Sequence, residues 1–156
     1  MGFAKLSLKG RALKLLSQRE HSRLELERKL AAHVEEGDDL AAVLDALEQR
    51  GFISADRVAE SVLHRKAARF GTARVAQELR SKGLDEDIVR AATDQLRATE
   101  LQRAHAVWRQ RFGTPPATPQ ERLKHMRFLA ARGFGGEVAS KVLRGHGGQD
   151  LPDDEG

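Results

Sequence analysis

The tetrapeptide Arg-Phe-Gly-Thr stands at residues 69–72 and again at residues 111–114. Each copy ends a stretch whose apolar residues have helical spacing. Each is followed further along by a leucine, three residues, a glycine and another apolar residue, which are Leu79, Gly83 and Leu84, and then Leu129, Gly133 and Phe134. A motif that returns at a long interval is typical of repeat proteins. The doubled stretch therefore predicts helical repeats that form a modular binding surface rather than a single catalytic pocket.

The rest of the chain, on both sides of these copies, also consists of segments whose apolar residues have helical spacing. Glycine, proline and capping residues separate these segments. We see no alternating segment long enough for a sheet. We therefore predict an all-α fold of three tandem three-helix repeats that form an elongated, curved helical module. The predicted units are residues 1–53 (an N-terminal helix and the first repeat), residues 54–98 (the second), residues 99–144 (the third) and residues 145–156 (a disordered acidic tail).

Several helix ends are marked by capping residues. Ser22 with Glu25, and Thr118 with Glu121, have the spacing of capping boxes, and Ser54 can cap the next helix. Gly71-Thr72 is expected to break the chain and cap another helix. The apolar residues predicted to line the buried faces include Leu26, Leu30, Val34, Val58, Val62, Phe70, Val75, Leu79, Trp108, Phe112, Leu123, Met126, Leu129, Val138 and Val142.

The composition excludes several classes of protein. The chain has 156 residues, a net charge of +4 at pH 7 and no cysteine, so disulfide and thiol chemistry are absent. No apolar run approaches the length of a membrane span. We expect a cytoplasmic monomer.

No residues with the spacing of a catalytic or metal site stand out. The six histidines are scattered and lack the i, i+4 pairing of a helical zinc site, so we expect them to be on the surface or partly packed. The glycine clusters near residues 133–136 and 145–148 lack the lysine of a phosphate-binding loop. We therefore predict no metal, no cofactor and no enzymatic activity.

Charge is unevenly distributed along the chain. Acidic residues outnumber basic ones between residues 20 and 60, whereas basic residues dominate between residues 63 and 82 and between residues 103 and 132. Such asymmetry favours a polyanion or an acidic protein surface as the partner.

The stretch from Val58 to Leu84, VAESVLHRKAARFGTARVAQELRSKGL, resembles the central repeat of the RecX family of bacterial regulators. Residues 22–30, 44–53 and 127–134 resemble the family as well, so the resemblance covers about residues 8–144. Val58 departs from the pattern, where an aromatic residue is usual, and so does Ala55, where an acid is common. The residues that match the central pattern are Arg65, Arg69, Gly71, Arg74, Glu78, Leu79, Lys82, Gly83 and Leu84.

The resemblance implies a non-enzymatic modulator of the RecA recombinase. Family members lodge in the groove of the RecA–DNA filament and inhibit ATP hydrolysis, strand exchange and the co-protease activity that triggers the SOS response. From the distribution of charge along the sequence, we predict that eleven basic residues face the RecA nucleoprotein filament or its DNA. They are Arg65, Lys66, Arg69, Arg74, Arg80 and Lys82 in the second unit, and Arg109, Arg111, Lys124, Arg127 and Arg132 in the third.

A different class of function is a stand-alone regulator that binds DNA through one helix–turn–helix unit, since the units have the right size. Against it, no helix carries a distinct set of base-reading Asn, Gln and Arg residues. For a modulator of the RecA filament, direct contact with single- or double-stranded DNA stays open.

Overall fold

The computed structural model describes residues 5–145, and over that range the chain is all-helical, without a strand. The predicted fold of three tandem three-helix repeats is confirmed. The tail predicted at residues 145–156 lies, from residue 146 onward, outside the described residues. The helices are α1 Leu8–Gln18, α2 Arg23–Leu30, a short 3-10 turn Ala31–His33, α3 Leu40–Gln49, α4 Ala55–Lys66, α5 Thr72–Ser81, α6 Glu86–Arg97, α7 Glu100–Arg111, α8 Pro119–Ala131 and α9 Gly136–Gly145.

Each group of three successive helices encloses its own cluster of buried apolar side chains. We call α1–α3, α4–α6 and α7–α9 the first, second and third repeat. Because each cluster is small, part of the stability must come from packing between neighbouring repeats. The clusters are centred on Leu26, Leu30, Leu44 and Leu47, on Val58, Val62, Val75, Leu79 and Val89, and on Ala104, Trp108, Leu129, Ala139 and Val142.

The helices begin where the capping residues predict. The Ser22 hydroxyl accepts from the Glu25 amide while the Glu25 carboxylate accepts from the Ser22 amide, which completes the capping box. Ser54 caps α4, and Thr118 caps α8 with a proline at its first turn. The predicted capping box at Thr118 is not complete, because the Glu121 carboxylate accepts from the Ala117 amide. The cap of α5 is Gly71, and Thr72 is already helical. Four predicted helix starts therefore follow from local sequence.

Two residues predicted to be buried are not. Val34 is 40% exposed because α2 ends at Leu30 and the chain leaves it through a short 3-10 turn. Leu123 is 50% exposed because α8 buries His125 and Leu129 instead. Residues two apart on a helix point about 200° apart, so burial of His125 turns Leu123 to solvent.

Two histidines also lie deeper than predicted: His21 is 1% exposed and His125 is 6% exposed. The Trp108 indole, which is buried as predicted, donates a 3.0 Å hydrogen bond to His125 Nδ1. The His125 ring also stacks on Phe112 with the ring centroids 3.7 Å apart. Burial lowers the pKa of His125 and favours the neutral ring that can accept from Trp108. His125 therefore belongs to the core of the third repeat.

The first and second repeats meet around Glu25. Its carboxylate accepts from Lys82 Nζ at 3.1 Å and from the Arg19 guanidinium at 2.9 Å. Burial alone would raise the pKa of Glu25, but hydrogen bonds from Arg19, the Ser22 amide and Lys82 hold that pKa at about 2. Beside it, Gly83 has φ +78° and packs so closely on Leu24 that a Cβ at Gly83 would lie 2.9 Å from the Leu24 Cβ. One ionised carboxylate thus joins the helix start, the Arg19 side chain and the neighbouring repeat.

We expect Glu25→Gln to lower the free energy of unfolding by about 2 kcal/mol at pH 7, since one pKa unit corresponds to about 1.4 kcal/mol and some of the charge is screened. A depressed carboxyl pKa contributes stability that is fully present above the unfolded-state pKa of about 4.3 and is lost as pH falls toward about 2. The difference between wild type and variant should therefore shrink below about pH 4.3. The difference in free energy of unfolding is measured by urea unfolding, followed by circular dichroism, at several pH values from 7 to 3. Glu36→Gln, at an exposed carboxyl, is the control. A difference that stays constant with pH would contradict the role of the Glu25 charge.

Candidate partner-binding surface

The second and third repeats are joined by hydrogen bonds to backbone carbonyls. The Gly71 amide donates to the Arg132 carbonyl at 2.7 Å, and the Arg132 guanidinium donates to the Arg69 carbonyl at 3.2 Å. The Arg74 guanidinium donates to the Ala131 carbonyl at 3.0 Å. These bonds satisfy carbonyls at the end of α8 and in the turn after α4. The first Arg-Phe-Gly-Thr copy is therefore seated on the turn that follows α8.

Two glycines make this approach possible. A Cβ at Gly71 would overlap the backbone carbonyl of Gly133, and a Cβ at Gly133 would overlap the Cβ of Arg74. Gly133 also has φ +93°, a conformation that residues with a Cβ rarely adopt. The two repeats thus meet backbone to backbone, at a distance that only glycine allows.

Arg103 of α7 also joins the third repeat to the second, and its guanidinium is partly buried between them. Its guanidinium donates to the carbonyls of Ala67 at 2.8 Å, Phe70 at 2.6 Å and Leu96 at 2.8 Å. The Ala67 and Leu96 carbonyls lie at the C-terminal ends of α4 and α6, where positive charge is favourable, and the Phe70 carbonyl lies in the turn after α4. Burial lowers the pKa of Arg103, but an arginine stays charged at neutral pH. Sequence reasoning missed Arg103, because its partners lie in another repeat and no local pattern signals them.

Phe70 lies at the centre of a group of cations beside this junction. The Arg74 guanidinium carbon lies 4.2 Å from the centre of the Phe70 ring, and Lys66 Nζ lies 5.3 Å from it. Arg69 and Arg132 lie at 5.5 Å and 5.6 Å. Each is within the range of a cation–π interaction, which offsets part of the repulsion between the cations. The second and third repeats both contribute to the group.

The group continues across the third repeat through aromatic rings. Arg132 also lies 5.0 Å from the Phe128 ring, and Arg111 lies 5.7 Å from it. Phe128 meets Phe112 edge to face at 5.4 Å between ring centres. Arginines of both Arg-Phe-Gly-Thr copies thus come together on one surface. We call this surface the basic seam, formed by Lys66, Arg69, Arg74, Arg111 and Arg132 around Phe70 and Phe128.

The basic seam carries more positive than negative charge. Glu78 lies 3.6 Å from Lys66 and 3.9 Å from Arg65. Among residues 5–145, the four arginines of the basic seam have no carboxylate within ion-pairing distance. They are Arg69, Arg74, Arg111 and Arg132. Their guanidinium groups present forked donors suited to phosphates and carboxylates.

The other predicted contact residues have different surroundings. Arg80 forms an ion pair with Glu86 at 2.9 Å, and Lys82 is bound to Glu25 between the first two repeats. Arg109, Lys124 and Arg127 are exposed on α7 and α8. The structure thus brings five of the eleven predicted residues into the basic seam. For all eleven, contact with a partner stays a prediction.

Neither a membrane span nor a metal site is present in the part of the chain that the structure describes. No helix between residues 5 and 145 is both long and apolar enough to cross a bilayer. Over the same range, no group of three or more His, Asp or Glu side chains is placed to hold a metal ion.

Comparison with known proteins finds one family along the chain. The family model for the second three-helix domain of RecX matches residues 56–92, and that for the third three-helix domain matches residues 98–143. Regulatory protein RecX of Leptothrix cholodnii is 55% identical over 139 residues, which are 89% of this chain and 88% of that protein. Its counterpart in Ralstonia nicotianae is 53% identical over 140 residues, covering 90% and 88% of the two chains.

Solved structures show the same fold at lower sequence similarity. The crystal structure of RecX from Lactobacillus salivarius superposes with a TM-score of 0.71 at 20% identity, covering 88% of this chain and 92% of that one. A second crystal structure of regulatory protein RecX gives a TM-score of 0.72 at 20% identity, covering 86% and 70%.

Proposed function

This chain belongs to the RecX family of regulatory proteins, and from that premise we propose that it binds the RecA–DNA filament and inhibits RecA. Binding would lower ATP hydrolysis, strand exchange and co-protease activity, and so restrain the SOS response. The protein would act in the cytoplasm as a monomer and without catalysis of its own. The regulatory names of its relatives support that mode of action.

The observation that carries this proposal is the basic seam. Five cations from two repeats lie around Phe70 and Phe128, and its four arginines are free of carboxylate neighbours within residues 5–145. A nucleoprotein filament offers phosphates and protein carboxylates along its length, and guanidinium groups bind both. Because the arginines come from two repeats locked together by Gly71 and Gly133, their spacing is fixed before binding. Such preorganisation lowers the entropy lost on association.

Tandem repeats also suit a filament because several subunits lie within reach of one molecule. Contacts made by separate repeats are linked through the chain, so weak individual sites combine into tight binding. We expect the second and third repeats to supply the cationic contacts. The first repeat, bound to the second through Glu25 and Lys82, would extend the surface along the filament.

The test is a titration of this protein into RecA filaments on single-stranded DNA, with ATP hydrolysis as the readout. We expect hydrolysis to fall several-fold at protein concentrations up to stoichiometric with RecA. An excess of free DNA should not restore it if the protein binds the filament, whereas DNA should restore it if the protein only sequesters DNA. Unchanged hydrolysis at stoichiometric protein would contradict the proposal. Sequence-selective binding to duplex DNA alone, with a steep salt dependence, would favour the helix–turn–helix regulator instead.

A further inference from the structure

We propose that the groove between α4 and α6 of the second repeat binds an amphipathic helix of the filament protein, with the basic end of that helix at Asp56, Glu60 and Asp87. This inference rests on the proposed function, because it takes RecA as the partner. It assigns a second contact surface, apolar and acid-rimmed, in addition to the basic seam.

The groove is an open cavity of about 880 Å³, lined by seven apolar residues together with three acidic residues and His64, Gln95 and Thr99. Leu63 and Ile88 lie half-buried along it, and Leu96 is buried at one end. Its walls are formed by small side chains, including Ala59, Ala67, Ala91 and Ala92. Apolar side chains of a partner could enter it and remove this surface from water, which is the main driving force of association.

The groove is open because alanines stand where the third repeat has larger residues. Aligned on Phe70 and Phe112, Ala59 of α4 and Ala67, which caps its C-terminal end, correspond to Leu101 and Arg109 of α7. Aligned on Leu79 and Leu129, Ala91 and Ala92 of α6 correspond to Lys141 and Val142 of α9. In the third repeat α7 and α9 pack more extensively on each other than α4 and α6 do. The open groove is thus a feature of the second repeat and does not follow from the repeat fold itself.

The acidic residues lie together at one end. Arg103 binds the carbonyls of Ala67 and Leu96, so the C-terminal ends of α4 and α6 meet there. The N-terminal ends, with Asp56 and Asp87, therefore form the opposite end of the groove, and Glu60 lies one turn from Asp56 toward the middle of α4.

Helix stability explains only part of this acidic rim. Asp56 and Asp87 lie in first turns, where a negative charge favours any helix, and Asp87 also forms an exposed ion pair with Arg90 at 3.4 Å. Glu60 lies one turn further along. In the third repeat the positions of Asp56 and Glu60 are taken by the uncharged Ala98 and Gln102, whereas Asp87 corresponds to Glu137, so Asp56 and Glu60 are the acids specific to the second repeat. An acidic rim on an otherwise basic repeat repels nucleic acid and attracts cationic protein groups.

These features define the chemistry of the occupant. α4 and α6 have 12 residues each, so the groove runs for up to about 18 Å, or three turns of a docked helix. The occupant presents apolar residues at i, i+3 or i+4, and i+7, the usual pattern of a helix bound in a groove. Its lysines or arginines lie at the end that meets Asp56, Glu60 and Asp87.

The first experiment fills the groove. Ala91→Arg places a long cationic side chain at an exposed position of α6. We expect the concentration for half-inhibition of RecA to rise about tenfold, while helicity stays unchanged. Ala46→Arg, at an exposed alanine of α3, should stay within about twofold of wild type. If Ala91→Arg and wild type inhibit equally, the groove proposal fails and the proposed function stands. If wild type itself does not bind or inhibit RecA, both fail.

The second experiment identifies the occupant. The chain has no cysteine, so Ala91→Cys carries a single thiol that can hold a photo-crosslinker. With RecA filaments we expect a crosslink to one helical RecA peptide bearing an apolar stripe and basic residues, and none from Ala46→Cys. A crosslink to DNA, to a second copy of this chain, or to no protein at all would overturn the proposal.

Discussion

Gly71→Ala is expected to separate the third repeat from the second and to lower the stability of the third repeat by about 2–3 kcal/mol, the upper range for overpacking. Gly71 has an ordinary extended backbone, with φ −79°, so the cost is steric and arises from the Gly133 carbonyl. Trp108 is the one tryptophan of the chain and lies in the core of the third repeat. We expect its fluorescence transition in urea to move to lower concentration, while circular dichroism retains the helicity of the remaining repeats.

Alanine substitutions at other glycines show how much of the lost stability comes from steric overlap and how much from an unfavourable backbone conformation. Gly135→Ala adds a Cβ with no atom within 4 Å and should leave the transition unchanged. Gly51 has φ +82° and open space around it, so Gly51→Ala measures the cost of a left-handed backbone alone, about 1 kcal/mol. Gly133→Ala combines that cost with overlap on Arg74 and should exceed it clearly. If Gly71→Ala behaves like Gly135→Ala, the two repeats are not locked by this contact.

Local structure was predictable from the sequence because its causes are local. Ser22, Ser54 and Thr118 satisfy amides within three residues of themselves, so their spacing to Glu25 or to the first turn is visible in the chain. Trp108 and Leu129 fall on apolar stripes whose period is that of the helix. The predicted burial of Val34 and Leu123 was wrong. Periodicity shows which residues share a helix face, but it does not show where the helix ends or which face a neighbouring helix covers.

The two Arg-Phe-Gly-Thr copies show the limit of local reasoning. Gly71 is extended and caps the N-terminus of α5, whereas Gly113 has φ +73° and leads into the loop before α8. The same tetrapeptide adopts two conformations because only the first copy is docked on another turn, that of Gly133. Contacts between repeats join residues far apart in sequence and leave no periodic trace. For this reason Arg103 and the convergence of the basic seam emerge only in the folded chain.

The arginines of the seam are not equivalent, and the difference decides which substitutions test function. The Arg74 side chain binds the Ala131 carbonyl and that of Arg132 binds the Arg69 carbonyl, so changing either one disturbs the junction. Arg69 and Arg111 contact the aromatic rings and are exposed. Exposed cations of this kind contribute little to folding stability, but they determine the electrostatic potential that an approaching partner experiences.

The double substitution Arg69→Glu with Arg111→Glu is therefore expected to weaken binding to RecA filaments about 100-fold and to abolish inhibition at stoichiometric protein. It changes the charge of the basic seam by four units while the carbonyl contacts of Arg74, Arg103 and Arg132 remain. Affinity is measured by fluorescence anisotropy over a range of salt concentrations, where the wild type should weaken with salt more steeply than the variant. Arg28→Glu with Arg50→Glu makes the same change of charge at exposed positions of the first repeat and should retain inhibition. Equal loss in both variants would mean that net charge, and not the basic seam, governs binding. Wild-type affinity in the seam variant, with normal urea unfolding, would remove the seam from the interface.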